Sequence, residues 1–194
     1  MPNMPLHRAR INRLMDRAAA GDLDAFAAVA SDAQDELFRL ALANGLSRED
    51  AAEATQEVFL RAYAGRGGWK PGSDAMAWLC GILLNVAREL HRRRRQQQRL
   101  TVAGAGWTAA ADLAQQPAAS GDRWEPEALA PLMQAIQRLP PRQREVISCR
   151  YLRQMSIRQT AEAMRCAEGT VKSAVSAALE QLRGMLSSAR PDLK

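Results

Sequence analysis

The segment Ser156-Ile157-Arg158-Gln159-Thr160-Ala161-Glu162-Ala163-Met164-Arg165-Cys166-Ala167-Glu168-Gly169-Thr170-Val171-Lys172-Ser173-Ala174-Val175 holds two helices and a tight corner between them. Ser156 with Gln159 three positions on forms a capping box, which predicts a short helix over 157–164. The corner at Arg165, Cys166 and Ala167 leads to a second helix that starts near Glu168 or Gly169. Ile157, Ala161 and Met164 recur at helical spacing, and so do Val171, Val175, Ala178 or Leu179, and Leu182. Two apolar stripes facing each other across a three-residue turn favour a helix-turn-helix over an ordinary helical hairpin. The second helix keeps a polar N-terminal face of Glu168, Thr170, Lys172, Ser173 and Ser176, the part of such a helix that enters a DNA groove.

Upstream of this unit, Pro126 suits the first position of a helix running to Leu139. Pro140 breaks that helix, and Pro141 opens another that carries Val146, Ile147, Cys149, Arg150 and Leu152. Residues 124–194 are therefore read as one small domain. Residues 99–123 hold repeated Ala and Gly with Pro117 and no sustained apolar period, and read as a flexible linker. Trp107 is its one large aromatic apart from the flanking chain.

Residues 1–98 form the other domain. Helices are expected over 9–20, 22–30, 32–44 and 48–63, with Gly21 and Gly45 as breaks and Asp22 and Ser47 as caps. In the last of these, Ala51, Ala54, Val58 and Ala62 make an apolar stripe, while Asp50, Glu53 and Glu57 make an acidic one. A glycine-rich loop with Trp69 and Lys70 follows. A long helix then starts at Ser73 or Asp74 and runs to about residue 98. Its core stripe is Met76, Leu79, Leu83, Val86 or Ala87, and Leu90. A neighbouring face carries Trp78, Ile82, Asn85, Glu89 and Arg92 and ends in Arg92–Arg95.

Composition agrees with an all-α chain. Alanine is abundant, aromatic residues are 5% of the chain, and no alternating β-branched run appears. Charge is segregated: residues 88–99 carry six basic and one acidic side chain, against nine basic and eleven acidic over residues 1–87. A chain with local basic stretches suits contact with a polyanion there and with protein elsewhere. No apolar run is long enough to span a bilayer and no signal-type segment opens the chain, so a cytoplasmic protein is expected. Cys80, Cys149 and Cys166 have no metal-ligand spacing, and no metal or cofactor is expected. His7 and His91 stand apart from any nucleophile or paired carboxylates, and no phosphate-binding glycine loop is present. An enzyme is not expected, and no catalytic residue is assigned.

Taken together, these residues resemble the extracytoplasmic-function group of the sigma-70 family, reduced to regions 2 and 4. Region 2 is matched by Glu49-Asp50-Ala51-Ala52-Glu53-Ala54-Thr55-Gln56-Glu57-Val58-Phe59-Leu60, then Ala77-Trp78-Leu79, Ile82, Asn85, Ala87-Arg88 and the arginine run. Region 4 is matched by Leu139-Pro140, Gln143-Arg144-Glu145-Val146, Gly169-Thr170-Val171-Lys172-Ser173 and Leu179-Glu180-Gln181-Leu182-Arg183.

The resemblance implies a sigma factor with three kinds of partner. Asp50, Glu53, Gln56 and Glu57 would dock on core RNA polymerase. Trp69, Lys70, Ser73 and Trp78 would shape a pocket for an unstacked base of the downstream promoter element, Trp78 chiefly by packing. Asn85, Arg88, Arg92 and Arg95 would hold the single-stranded non-template strand. Thr170, Lys172, Ser173 and Ser176 would face the duplex upstream element, with Arg142 and Arg165 on phosphates. The family also implies an anti-sigma factor, in many relatives membrane-anchored.

Departures fall at Glu53, where the family favours aspartate, and at Ala54, where it favours a larger aliphatic. Others are Ala167 in place of a Ser or Thr cap, which predicts fraying, and Ala174 and Ala177 in place of arginines. The alternative function is an autonomous helix-turn-helix regulator. It would leave the acidic helix, the glycine loop and the Asn85–Arg95 face without a role.

Overall fold

The computed structural model describes residues 4–104 and 130–189. All the regular structure in them is helical: α1 (Met4–Ala19), α2 (Leu23–Ala43), α3 (Arg48–Gly65), α4 (Ala75–Gly104), α5 (Ala130–Arg138), α6 (Pro141–Ile147), α7 (Ile157–Met164) and α8 (Glu168–Ala189). A short 3-10 turn covers Arg66–Gly68, and a π-type turn extends α6 over Ser148–Leu152.

The first half is built on long helices. Gly21 takes φ 103° between α1 and α2, a conformation that glycine adopts without strain. Asp22 then caps α2, accepting from the Ala25 amide at 2.9 Å. That hydrogen bond, together with the Arg17 guanidinium, holds the Asp22 carboxyl below its ordinary value. Residues 22–44 were expected as two helices and form one. Nothing between Ala30 and Ala33 can break a helix, and Ala25, Val29, Ala33, Leu37 and Leu40 bury one continuous face. In α3, Ser47 caps through the Asp50 amide at 3.2 Å, and Ala51, Ala54, Val58 and Ala62 are fully buried. The small side chains let α3 lie close to its neighbours.

α4 begins where expected. The Asp74 carboxylate accepts from the Ala77 amide at 2.8 Å, and Asn12 of α1 accepts from the Ala75 amide at 2.9 Å. Met76, Leu79, Leu83, Val86 and Ala87 are buried as the stripe predicts, joined by Cys80 and Leu84; Leu90 is half-buried. The helix continues to Gly104, beyond the expected end near 98. Arg and Gln are good helix formers, and the first strong breaker in that stretch is Gly104 itself. Trp107 and the rest of the expected linker to residue 123 lie outside the described residues, as does Pro126.

The second half is built on short, well-capped helices. α7 carries the full capping box: the Gln159 amide donates to Ser156 Oγ at 3.1 Å, and the Ser156 amide donates to Gln159 Oε1 at 2.7 Å. It ends at Arg165, which adopts the left-handed conformation at φ 51°. Such a residue costs about 1–2 kcal/mol relative to glycine. α8 starts at Glu168 even though Ala167 offers no side-chain cap; the Thr170 amide closes on the Ala167 carbonyl at 3.0 Å. Ala161, Met164, Val171, Ala178 and Leu182 are buried, and Ile157 and Val175 flank them half-buried. The two halves share one continuous core, meeting chiefly along α4 and α7. Among the described residues, no helix is long and apolar enough to cross a membrane.

Candidate nucleic-acid and protein interfaces

The acidic face of α3 forms because its apolar stripe is used up against α2 and α4. Glu53 and Gln56 are exposed. Glu57 accepts from Arg61 Nε at 2.7 Å, and the same guanidinium reaches across to both oxygens of Glu89 on α4 at 2.9 and 2.8 Å. The two carboxylates hold the Arg61 guanidinium protonated, and Arg61 in turn lowers the Glu89 pKa. Asp50 is drawn inward instead, paired with Arg94 of α4. The polar stripe continues into Leu60, 67% exposed, and Tyr63, 38% exposed. Tyr63 is clasped by the Arg66 guanidinium on its face at 3.7 Å and by the Phe26 ring at 5.2 Å. Sequence reasoning passed over Leu60 and Tyr63. The available signal was two large apolar residues off the buried stripe, one and two turns beyond Gln56.

The loop before α4 is a fixed element. Trp69 is 8% exposed, its indole Nε1 donates to Asp16 Oδ1 at 2.7 Å, and its ring meets that of Trp78 at 5.5 Å. The two tryptophans thus make a wall. Lys70 is exposed and Ser73 half-exposed beside it, with a tight turn closed by the Ser73 amide on the Lys70 carbonyl at 3.1 Å. The partnership with Asp16, far off in sequence, was not anticipated.

Along α4 the polar face runs from Trp78 to Arg95. Asn85 Oδ1 accepts from Arg88 Nη1 at 3.1 Å. The rest of the Arg88 fork lies on Glu145 of α6 at 2.8 and 2.7 Å, which raises its pKa. Arg92 and Arg95 are exposed. With Arg88, His91 and Arg144 they border a cleft of about 660 Å³ between the two halves. His91 Nε2 lies 3.1 Å from the Asn44 carbonyl. Burial lowers its pKa, and the nearby arginines Arg144, Arg95 and Arg94 push the same way. Arg144 is buried and donates to the Asn44 and Leu139 carbonyls at 3.1 and 3.0 Å.

In the second half, α8 presents Glu168, Thr170, Lys172, Ser173 and Ser176 to solvent. Ser173 and Ser176 hydroxyls bond back to the Thr170 and Lys172 carbonyls at 3.1 and 3.2 Å, which tethers them while leaving their acceptor sides outward. Arg142 and Arg165 are exposed, both N-terminal to α8, Arg142 on α6 and Arg165 at the corner between α7 and α8. The expected residues therefore fall into three separate groups, on α3, on the loop with α4, and on the helix-turn-helix. Among the described residues no group of His, Cys, Asp and Glu is arranged to hold a metal.

The sigma-70 region 2 profile matches residues 30–97, and the sigma-70 region 4 profile matches residues 129–182. The chain is 31% identical over 179 residues to the ECF RNA polymerase sigma factor BldN of Streptomyces coelicolor, covering 92% of this chain and 66% of that one. It is 33% identical to the ECF RNA polymerase sigma factor EcfG of Rhodopseudomonas palustris, over 77% of each. Its fold matches the structure of the sigma factor RpoE in complex with the anti-sigma factor NepR from Bartonella quintana, with a TM-score of 0.60 and 27% identity over 81% of this chain and 93% of that one. Two profiles in order, a relative aligned over most of its length and a shared fold lead to one conclusion: this chain belongs to the extracytoplasmic-function sigma factors of the sigma-70 family.

Proposed function

We propose that this chain is the promoter-recognition subunit of a bacterial RNA polymerase, acting in the cytoplasm and performing no catalysis itself. The observation that carries the reading is the division of labour on one chain. A basic, planar face on α4 sits beside a tryptophan-walled loop, and an exposed polar face on α8 sits on a helix-turn-helix. Unstacked strand needs the first, with cations for phosphates and a rigid pocket for a base. Duplex needs the second, a helix end narrow enough for the major groove.

In this reading Glu53, Gln56 and Glu57 dock on core polymerase, and Leu60 and Tyr63 add an apolar anchor to that face. Asp50, held by Arg94, positions α3 against α4 more than it meets a partner. Lys70 and Ser73 line the base pocket whose wall is Trp69 and Trp78. Arg88, Arg92 and Arg95 take the strand phosphates, and Thr170, Lys172, Ser173 and Ser176 face the upstream duplex, flanked by Arg142 and Arg165. An anti-sigma factor is the third partner, by likeness to the RpoE–NepR complex.

The test is in-vitro transcription with bacterial core polymerase on a pooled promoter library with 5′-end mapping. Start sites that appear only when this chain is added are the expected result. Tight, specific duplex binding by the isolated chain, with no change in polymerase start sites, would replace this reading with that of an autonomous regulator.

A further inference from the structure

α1 lies ahead of the segment matched by the region 2 profile, which begins at residue 30. Ile11, Met15 and Ala18 bury one of its faces, so this helix is fixed by its own packing. Asn12 and Asp16 stand four residues apart and share a neighbouring, half-buried face. That face holds both ends of the loop that walls the base pocket. Asp16 Oδ1 accepts from the Trp69 indole at 2.7 Å, and Asn12 Oδ1 accepts from the Ala75 amide at 2.9 Å, where α4 begins.

The loop between these two ties has little packing of its own. Of residues 66–74, Trp69 alone is buried. Gly67, Gly68 and Gly72 have open space where a side chain would stand. The Trp69 amide closes on the Arg66 carbonyl at 3.0 Å and the Ser73 amide on the Lys70 carbonyl at 3.1 Å, which shapes the loop without fastening it to the bundle. The Trp69 ring also rests on Trp78, its centroid 5.5 Å away. Ring contact is weakly directional, whereas a hydrogen bond from the indole to a carboxylate fixes which edge of the ring points inward.

We propose that Asp16 is a positioning residue for recognition of the downstream base: by holding the indole of Trp69, while Asn12 holds the start of α4, it fixes the wall against which the unstacked base is read. This rests on the base-pocket role of the loop proposed above. The phosphate contacts of α4 do not pass through the loop. A loosened wall therefore costs discrimination between bases and spares general strand affinity. Stacking of one base on an aromatic wall is worth roughly tenfold in affinity, which sets the size of the effect.

The experiment uses polymerase holoenzyme carrying the full chain, with a random pool of single-stranded oligodeoxynucleotides as the probe. Sequencing of the bound fraction gives the base preference at each position of the enriched motif. Asp16→Leu keeps a good helix former but offers no acceptor. It should flatten the preference at one position by roughly tenfold and leave the positions read along α4 unchanged. Asp16→Asn keeps an acceptor oxygen and should restore the preference. Trp69→Phe removes the donor while keeping a ring; it should flatten the same position, and Asp16→Leu should then add nothing. Trp69→Phe also stands in where Asp16→Leu does not fold. Unchanged preference in Asp16→Leu, or in Trp69→Phe where it stands in, overturns the positioning role. A loss spread evenly over the motif, or an added loss from Asp16→Leu in the Trp69→Phe background, makes Asp16 a general stabiliser and overturns it as well. A parent holoenzyme that enriches no motif overturns the base pocket itself, and the proposal with it.

Discussion

The half built on α1–α4 and the half built on α5–α8 reach a packed state by different routes. The first uses helices of 16, 21, 18 and 30 residues, with buried faces that run along most of α2 and α3 and from Ala75 to Ala87 in α4. The second has helices of 9, 7 and 8 residues before α8, shorter than a stable isolated helix. It depends on end devices: the Ser156–Gln159 box, the left-handed Arg165 and a π-type turn at Ser148–Leu152. Long helices leave a continuous polar face available for extended ligands such as a strand or a partner helix. Short capped ones hold a single reading helix at a fixed angle. The same contrast governs what is free: the face of α8 is open, whereas that of α4 is engaged by Arg88 with Glu145.

The sharpest way to break the contrast is a core truncation. Leu79 is fully buried in α4, and Leu79→Ala should destabilise the chain by about 2–5 kcal/mol. Chemical denaturation followed by far-UV circular dichroism measures it. Because the halves share one core, a single shifted transition is expected, and two separate transitions would show that the halves fold independently.

Next in size is the exposed end of α4. Replacing both Arg92 and Arg95 with alanine removes the two phosphate contacts proposed for them and should flatten the salt dependence of strand binding by about 1.4 units of slope. A titration of oligonucleotide affinity against salt reads this directly. Lys172→Ala should leave that slope unchanged while weakening use of promoters that depend on the upstream duplex.

Ser156→Ala tests the end devices. Losing the cap of α7 should destabilise the chain by about 1 kcal/mol. Ser47→Ala, on the longer α3, should cost less, since its box is not reciprocated and the buried stripe carries that helix. Equal losses in thermal melts would remove the distinction drawn between the halves.

The smallest effect is that of pH at the cleft. His91 has its pKa lowered from its ordinary 6.5, chiefly by burial, so the folded chain prefers the neutral ring. Stability is full above 6.5. It declines as pH falls from there toward the folded value, because the unfolded chain takes up the proton first. A shallower fall between pH 7 and 5 in His91→Gln than in the parent is the expected outcome. Asp22 and Glu89, whose pKa values are also lowered, contribute their losses at more acid pH and leave this window to His91.

Much of the architecture was legible in single residues and short spacings. Ser156 with Gln159, Asp22 and Ser47 each marked a helix start that the structure keeps, and the alanine stripe of α3 is buried as its period implies. The extra break expected near Ser31 failed for a physical reason. A polar residue inside an apolar period reads as an interruption, yet it only faces solvent when the helix runs on. The end of α4 was misplaced because the stretch after Gln98 reads as linker by composition, although nothing before Gly104 breaks a helix.

What the sequence by itself determined is therefore local: which segments are helical, where they are capped, which stripe is apolar, and that two familiar regions stand in order. Helix signals are carried by residues three and four apart, so they survive without knowledge of the fold. What only the tertiary structure decided is which faces meet. Trp69 turns inward onto Asp16, Arg61 bridges to Glu89, Leu60 and Tyr63 are left outside, and Arg88 finds Glu145 rather than solvent. Those partners lie 28 to 57 positions apart along the chain. No periodicity connects them. Arg88 meets Glu145 because the second half packs closely on α4, where Gly81 faces the Ala163 backbone, while the other pairings come from packing within the first half.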